Sequence, residues 1–373
     1  MVGMTAVLTV NAGSNSLKAH LVDADAEEVI ARAEVEQPPD SAEAREALDD
    51  LLEKAGDVTA AGHRLVHGGP DLRAPAVVDE ETLAAARRAE ELAPLHVPPA
   101  LVLLGVLRDR LPEIPHVLCP DTAFHADLPE IATTYALPAE WRRRYGLRRY
   151  GFHGLSYAWA LNRTAELLNR PAADLDLLMT HLGGGCSVTA VRNGRSVDTS
   201  MGFTPLEGVP MSKRSGSIDP GMLLWLLRRD GIDLDVLEHV LNHESGLLGL
   251  SGGRSGDTRD LVGAGDGEAA LALRVFTHRV RRELAAAATS LDRLDALVFT
   301  GEIGWDQPEV RADVTAGLSL LGVRRDLVVI DPGGDGPVSP PGAAVPVLVV
   351  RPREELQLCR ETLATVQSDE ARS

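Results

Sequence analysis

The run from His181 to Gly208, HLGGGCSVTAVRNGRSVDTSMGFTPLEG, holds the densest set of residues suited to chemistry. Three consecutive glycines, Gly183, Gly184 and Gly185, fall between two β-prone stretches, where glycine tolerates close backbone approach. Successive backbone N–H groups in such a turn form an anion-binding concavity that suits a nucleotide polyphosphate. A plain hairpin turn uses the same residues, so the glycines alone leave both readings open. A second small-residue turn, Asn11 to Ser16, offers hydroxyls and an amide and is followed at once by Lys18. Such groups hold phosphate oxygens or magnesium-bound water, and they equally make an ordinary hairpin. Asp121 follows a short apolar run, a position from which a carboxylate emerges into a cleft or caps the next turn. On composition alone, Arg64 and Arg214 read as surface salt-bridge partners and a lone histidine such as His153 as structural.

The elements that must position these groups alternate in type. Val7 to Val10 and Leu17 to Val22 read as the strands of a hairpin, and Ser41 to Lys54 as a helix capped by Ser41, with Glu43 and Glu46 in its first turn. A strand over Ala60 to Val66 follows, then helices over Asp79 to Leu92 and Pro98 to Arg110, then a strand over His116 to Cys119 ending at Asp121. The second half repeats this grammar. Strands Leu177 to Leu182 and Val188 to Val191 flank the glycine turn, helices run near Pro220 to Arg228 and Gly267 to Ser290, and a strand covers Ala296 to Thr300. The Pro- and Gly-rich stretch Asp331 to Pro346 reads as an irregular connection before a strand at Val347 to Val350 and an amphipathic helix from Glu354 to Val366. Two hairpins with small-residue tips hint at two related α/β lobes.

Composition narrows the function classes. At 373 residues the chain favours two domains, and 44% hydrophobic with 25% charged residues argues against extensive disorder. A net charge of −18 disfavours nucleic acid and anionic membrane as partners. The nearest basic patch, Arg142 to Arg149 with five arginines, attracts small anions or forms a solvated helix face. Cys119, Cys186 and Cys359 are far apart without CxxC spacing, which indicates neither a disulfide framework nor a zinc site and fits a reducing cytoplasm. The apolar stretch Thr5 to Val10 is too short for a signal-peptide core, and no membrane span is expected.

Nine ordered motifs carry a resemblance. They are VNAGSNSLK near Val10, GHRLVHGG at Gly62, LAPLH at Leu92, PDTAFH at Pro120, RRYGFHG at Arg148, SVDTSMGFTPLEG at Ser196, RSGSIDP at Arg214, SGLLGLSG at Ser245 and REELQLCRET at Arg353. From end to end the chain resembles the acetate kinase family of the actin and sugar kinase superfamily. The resemblance implies an α/β fold of two duplicated actin-like ATPase (ribonuclease H-like) lobes, each a mixed sheet flanked by helices, with the nucleotide in the cleft. Residues 1–152 with 356–373 would form the first lobe and 153–355 the nucleotide-binding lobe. It also implies reversible transfer of the ATP γ-phosphoryl group to acetate, with Mg2+ and ATP/ADP as cofactors, in a cytoplasmic homodimer.

Residue by residue, the resemblance makes Arg64, Arg214, His153 and Asp121 catalytic. Asn11 and Glu354 serve the metal, while His181, Gly183, Gly184, Gly185, Asp257, Thr258, Arg259 and Gly304 serve the nucleotide. Arg64, Val66, Leu95, His96, Phe152 and Pro205 form the carboxylate pocket. Several positions depart from the family pattern. Gly184 stands for a usual asparagine, Leu155 and Tyr157 for Thr and His, and LHVPPA for LHNPAN after His96. Glu302 and Trp305 replace a glycine and a glutamate, and Lys213 and Ser217 replace Thr and Asp. These changes bear on affinity and on the choice among acetate, propionate and butyrate more than on the reaction class. A nucleotide-binding regulator without kinase activity is the alternative from another class.

Overall fold

The computed structural model describes residues 5–13, 16–39, 41–54, 57–229, 232–264, 267–327 and 334–372. Ser14 and Asn15 of the first small-residue turn, and residues 331–333 of the Pro- and Gly-rich connection, lie outside them. The chain folds into two compact units. The first comprises the residues up to Ala126, Phe152–Trp159 and the residues from Arg353 onward, and the second comprises Asp127–Gly151 and Ala160–Pro352.

Unit 1 is built on a six-stranded mixed sheet. Its strands are β1 (Ala6–Ala12), β2 (Leu17–Asp23), β3 (Glu28–Val35), β4 (Val58–Leu65), β5 (Ala76–Val77) and β6 (His116–Pro120), in the order β3-β2-β1-β4-β6-β5. β1 pairs antiparallel with β2 and parallel with β4, and β4 pairs parallel with β6. Central parallel strands are covered on both faces, so β1 and β6 read as nearly continuous apolar runs. Leu8, Val10, Leu48, Leu104, Leu107 and Leu118 form the core between this sheet and helices Ala42–Glu53 and Val97–Arg110. Ser41 caps the first of these helices as expected, its hydroxyl accepting from the Ala44 N–H at 3.1 Å. The expected helix Asp79 to Leu92 breaks in two: Asp79 caps Glu80–Arg88, and a 3-10 turn covers Glu90–Leu92.

The last helix, Glu354–Glu370, returns to the first sheet and packs on β4 and β6. Gly62 permits this approach, because a Cβ there would overlap the Thr362 hydroxyl and stand 3.3 Å from Leu358.

Unit 2 repeats the topology. Its strands are β7 (Leu177–Leu182), β8 (Cys186–Arg192), β9 (Arg195–Thr199), β10 (Ala296–Thr300), β11 (Gly336–Pro337) and β12 (Val347–Val349), in the order β11-β12-β10-β7-β8-β9. Read from the opposite edge this is the order of unit 1, strand for strand. The senses also agree: β7 pairs antiparallel with β8 and parallel with β10, and β10 pairs parallel with β12. Helix Gly267–Ala288 covers this sheet with Phe276, Val280 and Leu284. Among the described residues no helix is long and apolar enough to cross a membrane.

The unit boundaries differ from those of the expected lobes. Asp127–Gly151, expected in the first lobe, belongs to unit 2, where the Tyr150 N–H bonds to the Gly202 carbonyl and the Arg149 side chain reaches Ser200. His153–Trp159 and Arg353–Glu355, expected in the second lobe, belong to unit 1. Gly154 is seated there by its N–H on the Asp121 carbonyl at 3.0 Å.

Candidate active site

Strand ends in unit 1 gather four of the expected residues. Asn11 lies near the end of β1, Arg64 near the end of β4, Asp121 just past β6, and Glu354 opens the last helix. Parallel pairing sets Arg64 beside Cys119, two residues before Asp121. The Arg64 guanidinium donates from Nε and Nη2 to one Asp121 oxygen at 3.2 and 2.5 Å, and from Nη1 to Asn11 Oδ1 at 3.0 Å. The Asp121 side chain is 1% exposed, so this is a buried ion pair rather than the surface bridge that composition suggests. Burial works against the Arg64 charge, yet Asp121 and then Glu354 outweigh it and raise its pKa. Glu354 is held above the usual carboxylate range, first by burial; Arg64 opposes this, and Asp121 adds to it.

This oxygen-rich set fits magnesium. Two carboxylates share one arginine, and Glu354 is short of compensating positive charge. Among the described residues no three His, Cys, Asp or Glu side chains form a metal cage. Magnesium is commonly held by one or two carboxylates, with substrate phosphates and water completing its shell.

Asp121 also organises the segment around His153. Its carbonyl accepts from the Gly154 N–H, and a Cβ on Gly154 would overlap that carbonyl oxygen. His153 itself is left-handed, with φ of 61°, between Gly151 at 79° and the start of helix Gly154–Leu168. A non-glycine residue held in this region is a strained position of the kind found at functional sites. His125, which sequence reasoning passed over, stands with Nε2 3.0 Å from the Phe152 carbonyl. Its only signal is its place in PDTAFH. Thr122 of the same motif accepts from the Gly68 N–H at 3.1 Å, tying PDTAFH to GHRLVHGG.

Of the expected carboxylate pocket, Val66 and Phe152 are buried, and Phe152 meets His67 edge-on with ring centroids 5.4 Å apart. His96 occupies the position before helix Val97–Arg110 without a side-chain capping bond to it, while Leu95 is 49% exposed. Of the departures, Leu155 is buried, and Tyr157 is buried with its ring stacked 5.9 Å from Phe124.

In unit 2 the glycine turn closes the β7–β8 hairpin, where Leu182 pairs with Cys186 and His181 with Ser187. None of Gly183, Gly184 and Gly185 has positive φ. A Cβ on Gly183 would meet nothing nearer than 3.5 Å, and one on Gly184 nothing within 4 Å. The space beside Gly184 is open, and Gly183 is buried. Ser212 ties this turn to the other expected nucleotide residues. Its N–H donates to the Gly184 carbonyl at 3.3 Å and its hydroxyl to the Gly256 carbonyl at 2.9 Å, next to Asp257. Arg214, two residues on, donates from Nη1 to the Pro205 carbonyl at 2.6 Å.

A match to the acetokinase family model spans residues 42–360. The chain belongs to the acetokinase family. The acetate kinase of Geobacillus kaustophilus is 39% identical over 96% of this chain and 99% of the relative. Among solved structures, an acetate kinase from Porphyromonas gingivalis and a propionate kinase from Francisella tularensis each superpose with a TM-score of 0.88 at 31% identity, covering 97% of this chain and all of theirs. Acetokinases are phosphotransferases with a carboxylate acceptor.

Against the acetokinase expectations, the remaining nucleotide residues divide. Asp257 caps helix Thr258–Leu261 and pairs with Arg259 at 2.6 Å. The bond to Asp257, and to a lesser extent the fields of Asp306 and Glu302, raise the Arg259 pKa. Glu302, a departure from the acetokinase pattern, is exposed and has Arg259 as a counter-charge. Thr258 has no exposed surface, and its hydroxyl has no hydrogen-bond partner among the described residues. Trp305 lies beneath Arg351, 5.0 Å from the ring centroid.

Proposed function

We propose that this acetokinase transfers the γ-phosphoryl group of ATP reversibly to acetate. A carboxylate oxygen of acetate attacks the γ-phosphorus in line, the bond to the bridging oxygen breaks, and its electron pair leaves with ADP. No covalent phosphoenzyme takes part. Arg64, Arg214 and His153 neutralise charge on the equatorial oxygens, a task suited to the planar guanidinium. Asp121 fixes the Arg64 fork, and the backbone N–H groups of Gly183, Gly184 and Gly185 receive the polyphosphate. Bound magnesium, held through Glu354 with Asn11 in support, would neutralise charge on the phosphate oxygens. The observation that carries this reading is the convergence of Asn11, Arg64, Asp121 and Glu354, drawn from across the chain onto one guanidinium and its neighbouring carboxylates.

Acyl phosphate trapped by hydroxylamine, from ATP, magnesium and acetate, tests the proposal, with Arg64→Ala as control. Product that disappears in the variant is expected. ATP binding without product from any short acid would point instead to the nucleotide-binding regulator. A second reading, propionate or butyrate as the preferred acid, draws on the propionate kinase structure, which is as similar as the acetate kinase one. An apolar pocket discriminates one methylene by only about 1 to 3 kcal/mol, so turnover of the three acids side by side decides.

A cytoplasmic homodimer completes the proposal. Helix Pro220–Leu227 is apolar along its length, yet none of its residues is buried, and Leu224 and Trp225 are each 54% exposed. A second copy covering this face would bury it. Light scattering should give twice the chain mass, and Trp225→Glu should lower it.

A further inference from the structure

The loop 201–208, which carries Pro205, is pinned at both ends. At its start, Arg149 donates from Nη1 to the Ser200 carbonyl at 3.0 Å and from Nη2 to Glu207 Oε1 at 2.9 Å. The other Glu207 oxygen accepts the Tyr135 hydroxyl, and the Tyr135 oxygen accepts from the Phe203 N–H at 2.9 Å. A Cβ on Gly202 would overlap both Glu207 Oε2 and the Tyr135 hydroxyl, so only glycine fits between them. At its end, Gly208 exchanges bonds with Ser217, N–H to Oγ at 3.0 Å and carbonyl from N–H at 2.8 Å. Between these pins the Pro205 carbonyl receives Arg214 Nη1 at 2.6 Å. Burial, and then the bond to Glu207, push the Tyr135 phenol up, so it keeps the proton it donates.

We propose that Tyr135, Glu207 and Arg149 are positioning residues that hold the loop 201–208 so that the Pro205 carbonyl aims the Arg214 guanidinium. The proposal rests on the phosphotransfer reading above. None of the three touches a reacting atom in it; they act through Arg214. A guanidinium with several donors binds a phosphoryl group productively in only a few orientations, and a carbonyl fixed on Nη1 selects one of them.

A double-mutant cycle tests this. Tyr135→Phe removes the hydroxyl that joins Glu207 to the Phe203 N–H, and kcat should fall by about tenfold with the KM for ATP within about twofold. In an Arg214→Ala background the same change should cost less than about twofold, because the group being aimed is gone. Equal losses in both backgrounds, or no loss in the single variant, would overturn the proposal. Thermal melts of each variant establish folding, and should Tyr135→Phe fail to fold, Glu207→Gln enters the same cycle with the same criterion. A wild type that makes no acyl phosphate overturns the phosphotransfer reading and the triad with it. An active wild type with an additive cycle overturns the triad alone.

Discussion

His125 donates to the carbonyl of Phe152 at 3.0 Å, one residue before the left-handed His153. A carbonyl only accepts, so Nε2 bears the proton. Burial brings the His125 pKa down to about 4 against the opposing pull of the Phe152 bond and of Asp121, so the ring is neutral near pH 7. His125→Ala would leave a buried carbonyl without a donor, at a cost of about 1 to 3 kcal/mol. It should also lower kcat through His153, and His125→Gln should restore part of both. Urea melts and acyl hydroxamate yields check the two effects.

Acid should destabilise the protein through its buried histidines. His63 Nε2 stands 3.0 Å from His116 Nδ1, and burial with the His116 field takes the His63 pKa to about 3. His116 is lowered too, chiefly by burial, while the field of Arg108 adds to this and its bond to the Leu111 carbonyl opposes it. Unfolded imidazoles titrate near 6.5, so below that pH the unfolded chain binds more protons than the folded one. Stability then rises with pH over the window between the folded and unfolded values. It falls on acidification below about pH 6.5 by about 1.4 kcal/mol per pH unit for each such histidine. Glu354 and Glu361, whose carboxyls burial raises, Glu361 to about 7, work in the opposite sense. Denaturant melts from about pH 7 to about pH 5 should therefore show a steeper decline than the same melts after His63 and His125 are replaced by neutral residues.

Charge alone will not replace Arg64. Its fork serves Asp121 with two donors and Asn11 with a third, a geometry that the lysine ammonium lacks. Arg64→Lys should therefore lower kcat by about a hundredfold or more. Asp121→Asn should cost about 3 kcal/mol of stability by leaving the arginine without its buried partner. Steady-state kinetics and guanidinium melts separate the two.

At Gly184 a change toward the family pattern should gain binding at no structural cost. The site is exposed, the backbone is not left-handed, and no atom lies within 4 Å of a built Cβ. Gly184→Asn should leave stability within about 0.5 kcal/mol. Its amide supplies one further donor, worth about 1 kcal/mol, or about fivefold in nucleotide affinity. Calorimetric titration with ADP reads the gain.

Legibility in the sequence followed how local each cause is. Ser41, the β4 and β6 runs and the glycine turn are written in neighbouring residues, and their elements appear where spacing puts them. β3 escaped because it alternates exposed with half-buried positions, and charged Glu28, Arg32 and Glu34 interrupt its apolar residues. Helix Gly154–Leu168 escaped because it opens on glycine behind a strained histidine. In the site, motif order led to Arg64 and Asp121, but composition had Arg64 as a surface charge, since burial of a pair depends on strands far apart in the chain. Ser212 and His125 act through carbonyls 28 and 27 residues away, and neither spacing nor residue type marks them. The same distance explains Asp127–Gly151, whose place follows from bonds to Gly202 and Ser200.

The return of helix Glu354–Glu370 to the first sheet has a consequence for biosynthesis. A ribosome that has translated as far as Pro352 has synthesised every residue of unit 2, while the sheet of unit 1 still lacks the helix that covers Gly62. Emerging domains fold as units in the order of their completion, so the nascent chain carries its glycine turn and Arg214 well before it carries Glu354. The sequence of unit 2 is thus complete before unit 1 receives Glu354, and unit 1 can close its sheet only with the final helix.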